Sequence, residues 1–209
     1  MPRFGPHILI PESHVFFRNA HALAIVNLRP VLPGHVLVLS TRVEARFGGL
    51  TPEEVASVWQ AAQRVGGVVC AVRGGSAATF SMQDGAAAGQ SVPHVHVHVV
   101  PRADGDLARN DDVYDLLEAS ESALAAGGGA AAQRAAGGGA RRSTALAVDA
   151  PTSAAGRTAD ILPAELRRQR TPAEMDAEAE EYRRAFAALE AREAAEARGA
   201  PDGAAAFKG

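Results

Sequence analysis

Three histidines alternate with valines in one short segment, His94-Val95-His96-Val97-His98-Val99-Val100. On an extended strand successive side chains point to opposite faces, so the three imidazoles are expected on one face and the valines on the other. The other four histidines are dispersed at His7, His14, His21 and His35. A cluster of imidazoles on one face indicates a site for nucleophilic attack, proton transfer or metal binding.

Three interpretations of this segment compete, and the first two explain it less well. A hydrogen-bonded polar strand face is the simplest, although serine or threonine would serve that purpose equally well. Metal binding is the second, but His94 and His98 start roughly 13 Å apart at ~3.3 Å per residue, so three rings do not readily converge on one ion. A ligand from elsewhere would be required, and the sequence has neither a cysteine cluster nor an HExxH motif to supply it.

Phosphoryl chemistry is the third interpretation. A neutral imidazole is a competent nucleophile near neutral pH, and a neighbouring imidazole can donate a proton to the leaving oxygen. The loop before the strand offers backbone N–H groups, an amide and a hydroxyl to phosphate oxygens; they belong to Gly85, Gly89, Gln90, Ser91 and Val92. No GxxxxGKS or GxxxxGKT motif occurs, which excludes a P-loop. Loop and strand together favour a phosphate site.

Strands and helices must position this site. Residues 23–27 and 35–40 are rich in Val, Ile and Leu and are predicted to form an antiparallel pair, joined by a loop with prolines and a glycine. Residues 79–83 and 94–100 are predicted as two further strands. The glycine-rich loop described above connects them.

Two helices are predicted from the same N-terminal signal. Thr51-Pro52-Glu53-Glu54 and Thr171-Pro172-Ala173-Glu174 each combine a threonine N-cap, a proline at the first position and a glutamate that completes a capping box. We expect the first helix to fray or stop in the region that Gly66-Gly67 and Gly74-Gly75 mark. The second has Met175, Tyr182, Phe186 and Leu189 on one side, so it is expected to pack on the core, with a partner protein as the alternative.

Composition divides the chain. Residues 119–160 hold 23 Ala or Gly out of 42, and such a segment buries too little apolar surface to offset the entropy of ordering its backbone. We therefore expect a globular domain over residues 1–118, a flexible insert over 119–160, the amphipathic helix within 161–198 and a disordered tail over 199–209.

Charge and cysteine content exclude several classes of protein. Lys+Arg number 21 against Asp+Glu 24, so the chain lacks the single-sign excess of a general nucleic-acid or anionic-membrane binder. No apolar run approaches the ~18 residues of a membrane helix, and the first residues do not resemble a signal peptide. The single cysteine, Cys70, rules out an intramolecular disulfide and fits a reducing compartment, so a cytoplasmic or nuclear location is expected.

The alternating segment has the pattern His-φ-His-φ-His-φ-φ, where φ is apolar, and the sequence resembles the histidine triad (HIT) superfamily. Within it, the chain is most similar to the fragile histidine triad (Fhit) branch of bis(5'-adenosyl)-triphosphatases. The similarity covers residues 3–118 almost continuously and returns more weakly after Thr171; its further segments are Arg3-Phe4-Gly5, residues 30–38, 80–85 and 89–92, Pro101-Arg102, Gly105-Asp106, Arg109-Asn110-Asp111 and Tyr114.

This resemblance implies an α+β fold, with helices packed on an antiparallel sheet, and a homodimer. It implies hydrolysis of diadenosine triphosphate to AMP and ADP through a nucleotidyl-histidine intermediate. A divalent cation, Mg²⁺ or Mn²⁺, would be carried by the substrate phosphates, with no fixed protein ligands. The alternatives are a nucleoside phosphoramidase of the same superfamily and a nucleotide-binding signalling module with slow turnover.

The resemblance also implies roles for individual residues. His96 is the expected nucleophile, His98 the contact at the scissile bridge, His94 the residue that completes the site and His35 the one that orients the triad. The implied substrate contacts are His7, Asn27, Gln83, Gly89, Gln90, Ser91, Val92 and His98. Tyr114 matches a phosphorylation site of animal relatives. Pro93 stands where the branch has lysine, which removes a charge and a backbone donor beside the phosphates.

Overall fold

The structure is a computed structural model that describes residues 1–128 and 168–199 of the 209-residue chain. Most of the predicted insert and the tail from residue 200 onward lie outside the described residues. No helix in the two described ranges combines the length and the apolar character needed to cross a membrane.

Within residues 1–128 and 168–199, seven strands form two antiparallel sheets. The first two, β1 (Arg3–Phe4) and β2 (Ile8–Leu9), make a small ribbon. The central sheet contains β3 (Val15–Arg18), β4 (Ala22–Val26), β5 (Val36–Ser40), β6 (Ala77–Ser81) and β7 (His96–Arg102). Its spatial order is β3-β4-β5-β7-β6, and every neighbouring pair is antiparallel.

This sheet, with helices packed on it, confirms the predicted α+β class. The histidine strand nevertheless starts at His96, two residues later than predicted. The backbone bends through residues 92–94, where Pro93 has no N–H to donate to a ladder. His94 therefore lies in the loop that leads into β7, and simple strand alternation does not apply to it.

Three α-helices occur among the described residues: α1 (Pro52–Arg73), α2 (Asp112–Gly128) and α3 (Pro172–Gly199). The capping box of α1 is present in both directions, since Thr51 Oγ1 accepts from the Glu54 N–H and the Glu54 carboxylate accepts from the Thr51 N–H. Thr171 and Glu174 form the same pair at the start of α3.

The helix α1 ends at the second of the two glycine pairs predicted to mark its end, and it does not stop at the first pair, Gly66-Gly67. The helix continues to Arg73 and ends at Gly74, whose φ of +70° is the left-handed conformation typical of a helix C-cap. Gly66 instead permits close packing, because a Cβ there would lie 2.6 Å from Cζ of Phe80.

One face of the central sheet packs against α1 and α3. Val97 and Val99 of β7 are fully buried there, together with side chains of β4 and β5. The buried side of α3 contributes Met175, Ala179, Tyr182 and Phe186 to the same core. Arg73 of α1 binds Glu178 at 3.0 Å and the Tyr182 hydroxyl at 3.0 Å, which ties the two helices together.

The second helix crosses the boundary that composition placed between residues 118 and 119. Its first turns pack Val113, Leu116 and Leu117 against Val31, Leu32 and Val100. The helix then continues to Gly128 through alanine, which has the highest helix propensity of all residues. The predicted start of the insert thus falls inside an ordered element.

Candidate active site

The two central histidines lie on the sheet face opposite α1. Because Val97 and Val99 point into the core, His96 and His98 point to the other face of β7, opposite Leu39 and Leu37 of β5. Both rings are buried, and their centroids are 5.0 Å apart. The ring of Phe4 meets His96 edge-on, also at 5.0 Å.

A chain of hydrogen bonds fixes the tautomer of His98. The Val31 N–H donates to His35 Nδ1 at 3.1 Å, so the hydrogen of the His35 ring is on Nε2. This Nε2–H donates to His98 Nδ1 at 2.9 Å. His98 consequently carries its own hydrogen on Nε2, which has no hydrogen-bond partner in the structure. The site therefore contains an imidazole N–H that is free to donate.

The neighbouring His96 has the opposite arrangement. Its Nδ1–H donates to the carbonyl oxygen of His94 at 2.7 Å, which leaves the lone pair on Nε2. That Nε2 is likewise buried and has no hydrogen-bond partner. One ring thus presents a lone pair and the next a hydrogen, which is the pair that nucleophilic displacement with proton transfer requires.

The first histidine of the motif has both ring nitrogens engaged with the scaffold. The Gly5 N–H donates to His94 Nδ1 at 2.9 Å, and His94 Nε2–H donates to the carbonyl oxygen of Ser40 at 2.7 Å. Its backbone carbonyl accepts the hydrogen bond from His96. Through these hydrogen bonds His94 links the residue that follows β1, the end of β5 and the ring of His96.

Burial keeps three of these imidazoles neutral. It lowers the pKa of His35 well below its usual value, and the neighbouring His98 lowers it further. Burial also lowers the pKa of His94 and of His98, although the hydrogen bond of His94 to the Ser40 carbonyl and the nearby carboxylate of Glu121, respectively, oppose the shift. Neutral rings at His35 and His98 preserve the tautomers on which the free N–H of His98 depends.

The loop before β7 contains scaffold groups and free groups. Gly85 and Gly89 have φ of +99° and +89°, conformations that glycine adopts without strain. The Gln90 amide accepts from the Gly85 N–H and donates to two backbone carbonyls, of Ala45 and His94. The side chain of Gln90 thus holds the loop together, and Val92 packs in the core beneath it. Gln83 is available for a ligand, because its Oε1 is buried without a partner.

An acidic residue that the sequence analysis did not identify lies between His96 and His98. Glu121 of α2 is fully buried, with Oε1 3.5 Å from His96 Nε2 and 3.4 Å from His98 Nε2. Its Oε2 accepts from the N–H and the hydroxyl of Ser91, at 3.1 and 2.5 Å. Burial alone raises the pKa of Glu121, but its contacts with His96 and His98 outweigh burial, so that the pKa lies below the usual range.

A signal for Glu121 was present in the sequence. Val113 and Leu117 lie four residues apart on the buried side of α2, and one further step of four residues reaches position 121. The composition of residues 119–160 obscured this spacing. His96, His98 and Glu121 also form the one group of potential metal ligands found among the described residues, with ligand atoms within 4.8 Å of one another.

An apolar groove adjoins the histidine pair through Phe4. Its walls come from β1, β2, β4 and the start of α3; they include Phe4, Ile8, Ile10, Ile25 and Met175. Asn27 is buried at the end of β4, close to the His35 ring, and Arg170 binds its backbone carbonyl.

Two predicted residues lie at the surface. His7 is exposed in the turn between β1 and β2, and Tyr114 is exposed in the first turn of α2. Neither contacts the histidine pair. The structure therefore brings together His35, His94, His96, His98, Ser91 and Asn27, and it leaves His7 and Tyr114 outside this group.

The chain is similar to known proteins of one family. The model of the HIT domain matches residues 10–105. The chain is 45% identical over 121 residues to the bifunctional bis(5'-adenosyl)-triphosphatase/adenylylsulfatase FHIT of Arabidopsis thaliana; the match covers 58% of this chain and 67% of that protein. It is 47% identical over 115 residues to the bis(5'-adenosyl)-triphosphatase of Dictyostelium discoideum, covering 55% and 76%. The crystal structure of the C. elegans NitFhit protein matches with 34% identity and a TM-score of 0.49, over 60% of this chain and 29% of that one.

Proposed function

Since the chain belongs to the histidine triad family, in its Fhit branch, we propose that it hydrolyses diadenosine triphosphate to AMP and ADP. The observation that carries this proposal is the pair of unpartnered nitrogens, the lone pair of His96 Nε2 beside the hydrogen of His98 Nε2. A displacement at phosphorus needs both groups within reach of one phosphate. Relatives named for this activity share 45–47% of matched residues with the chain.

In the first step, His96 Nε2 attacks the α-phosphorus and forms a P–N bond. The P–O bond to the β-phosphate breaks, and the electron pair stays on the bridging oxygen. His98 Nε2–H donates its proton to that oxygen, so ADP leaves and AMP remains bound to His96. The His96 Nδ1–H bond to His94 stabilises the positive charge that develops on the nucleophile.

In the second step, water attacks the same phosphorus and the P–N bond breaks. His98, now with a lone pair on Nε2, accepts the proton of the water and returns to its starting tautomer. The bond from His35 keeps His98 in the correct orientation through both steps. AMP is the second product, and the site is regenerated.

The surrounding residues supply recognition. We assign the adenine base to the apolar groove beside Phe4, and the ribose contact to Asn27, as the family resemblance implies. Ser91 and Gln83 offer polar groups to the phosphates, and the backbone of Gly89 and Val92 shapes the loop. His7, exposed in the turn between β1 and β2, is a candidate for a contact with the nucleotide, as the family resemblance implies.

A divalent cation, Mg²⁺ or Mn²⁺, arrives as part of the substrate complex in this proposal. The groups around the histidine pair suit that arrangement, because most of them are nitrogen and hydroxyl donors rather than the oxygen ligands that Mg²⁺ prefers. The cation neutralises charge on the phosphate oxygens. Each protein group then binds phosphate rather than metal.

The remaining expectations concern assembly and surroundings. We propose a homodimer, as the family resemblance implies; β6 supports it as an edge strand of the central sheet with an exposed side chain, Phe80. Light scattering of the purified chain measures the mass directly. The single cysteine supports a reducing compartment, cytoplasm or nucleus, and the exposed hydroxyl of Tyr114 is accessible to a kinase.

Product analysis tests the proposed activity. The purified chain is incubated with diadenosine triphosphate and Mg²⁺, and we expect AMP and ADP in equal amounts. His96→Ala should lower kcat by about 10⁴-fold or more, because it removes the nucleophile. A wild-type rate no higher than that of His96→Ala would exclude the hydrolase.

Two further measurements separate the alternatives. Faster turnover of an adenosine phosphoramidate than of diadenosine triphosphate would assign the chain to phosphoramidases. A nucleotide-binding signalling module would bind the dinucleotide with little turnover, and His96→Asn would retain the binding.

A further inference from the structure

Glu121 occupies the part of the site that a substrate phosphate needs. Its Oε2 accepts from both the N–H and the hydroxyl of Ser91, and its Oε1 faces His98 Nε2–H. The proposed function assigns these same donors to a phosphate. A carboxylate and a phosphate oxygen accept hydrogen bonds from the same kinds of donor, so the two anions exclude each other here.

The carboxylate is only partly satisfied in this position. Oε1 has no hydrogen-bond partner, and it lies 3.5 Å from His96 Nε2 and 3.4 Å from His98 Nε2. A buried, unpaired carboxylate oxygen is unfavourable. The two hydrogen bonds from Ser91 hold Glu121 in this position although its Oε1 is buried without a partner. A ligand that accepts hydrogen bonds from all of these donors can therefore displace it.

Metal binding by His96, His98 and Glu121 agrees less well with the hydrogen bonds. A metal ion needs the lone pair of His98 Nε2, and the hydrogen would have to move to Nδ1. His35 would then have to carry its own hydrogen on Nδ1, where it would face the Val31 N–H. The Val31 N–H and the His35 Nδ1–H would then point at each other in a buried site. The carboxylate of Glu121, in contrast, requires no change of tautomer in His35 or His98.

We propose that Glu121 determines ligand affinity by competing with the substrate phosphate for the subsite formed by Ser91 and His98. The inference rests on the proposed function, because the excluded group is the phosphate of that substrate. Glu121 lowers the fraction of molecules with an open subsite, and the apparent affinity for phosphate ligands falls by the same fraction. A ligand without phosphate does not compete with it.

Equilibrium binding of AMP and of adenosine tests this competition. Isothermal titration calorimetry is carried out with the wild-type chain, Glu121→Ala and Glu121→Asp. The aspartate variant keeps the charge but is one methylene too short to reach Ser91. Glu118→Ala is the matched control, because Glu118 is exposed on the same helix and its removal changes the net charge equally. Thermal melting verifies that each variant is folded.

We expect Glu121→Ala to lower the Kd of AMP by about fivefold to tenfold, and Glu121→Asp to act in the same direction. Adenosine should bind all four proteins equally, and Glu118→Ala should match the wild type. An unchanged or higher Kd for AMP in Glu121→Ala would overturn the proposal. Stoichiometric binding of Zn²⁺ alone that Glu121→Ala abolishes, with AMP affinity unchanged, would assign the three residues to a metal site instead.

Binding of AMP involves no turnover, so this experiment is independent of the test of hydrolysis. If no variant hydrolyses diadenosine triphosphate, the proposed function fails on its own assay. If hydrolysis is found and AMP binding is insensitive to Glu121, only the competition fails.

Discussion

The two faces of the central sheet show how one strand serves both stability and chemistry. On the face below α1, Val97 and Val99 are fully buried among aliphatic side chains. On the opposite face, His96 and His98 are as deeply buried, but each is held by a directed hydrogen bond. Packing on the first face depends on shape and volume, while the second depends on where single hydrogens lie.

The polar face leaves one ring nitrogen of His96 and one of His98 without a hydrogen-bond partner. His94 uses both ring nitrogens, and His35 likewise uses both. His96 and His98 each form a hydrogen bond to the scaffold through one ring nitrogen, and the other ring nitrogen has no partner. Such unpaired polar atoms destabilise a folded protein, so they are typical of binding and catalytic sites.

The largest expected difference between the faces comes from neighbouring positions of β7. His98→Ala removes the proton donor and should lower kcat by about 10²- to 10⁴-fold. Val99→Ala removes two buried methyl groups and should lower the free energy of unfolding by about 2 kcal/mol, with kcat nearly unchanged. Steady-state kinetics and urea denaturation of both variants measure the two effects. Equal losses of kcat would mean that the faces are not separable.

A smaller effect on rate is expected from the residue behind His98. His35→Leu removes the N–H that holds His98 Nδ1, so His98 can shift its hydrogen to Nδ1 and lose its free donor. We expect kcat to fall by about 10- to 100-fold, with KM little changed. His35→Gln offers an amide N–H to the same nitrogen and should retain more activity. Equal rates for the two variants would argue against control of the tautomer.

The sequence alone predicted that histidines lie on one face of β7 and valines on the other, but it did not predict the contacts of His94 and Glu121. Alternation along residues 94–100 is a property of any strand, so the positions of His96, His98 and the valines followed from spacing. The engagement of His94 could not be predicted, because Pro93 bends the chain and Gly5 is remote in sequence. Glu121 was missed because composition suggested a flexible segment where the structure has the continuation of α2.

The helices likewise show which features local sequence signals predict and which depend on tertiary contacts. Capping boxes at Thr51 and Thr171 are local signals, and both helices begin where predicted. The end of α1 lies at one of the two predicted glycine pairs, where Gly74 caps the helix. The other pair does not interrupt the helix, because Gly66 packs against the ring of Phe80, and local propensity does not show such a tertiary contact.

The two faces should also differ in their response to acid. His35, His94 and His98 have a lowered pKa in the folded protein, so below pH 6.5 the unfolded chain binds more protons than the folded one. Stability is therefore full above pH 6.5 and decreases as the pH falls, by at most about 1.4 kcal/mol per pH unit for each residue. Chemical denaturation between pH 7.5 and 5 gives this slope.

Variants of the two faces should change that profile differently. His35→Gln removes one titrating group and should flatten the slope below pH 6.5. Val99→Ala should lower the curve at every pH without changing its shape. A profile that is the same in His35→Gln and the wild type would show that His35 does not contribute to the slope.

The smallest effect is expected where neither face is touched. Gly67 lies on the exposed side of α1 with open space around its Cα, and its φ is that of an ordinary helix. Gly67→Ala should raise the free energy of unfolding by about 0.5 to 1 kcal/mol, because alanine loses less backbone entropy on folding, with kcat unchanged. The adjacent Gly66→Ala is the control: its Cβ would meet the Phe80 ring at 2.6 Å, so it should gain less or lose stability. Equal stabilisation of both variants would show that the close approach of Phe80 to α1 does not restrict the core. The core on the valine face of the sheet would then tolerate an added methyl group as well as the surface does.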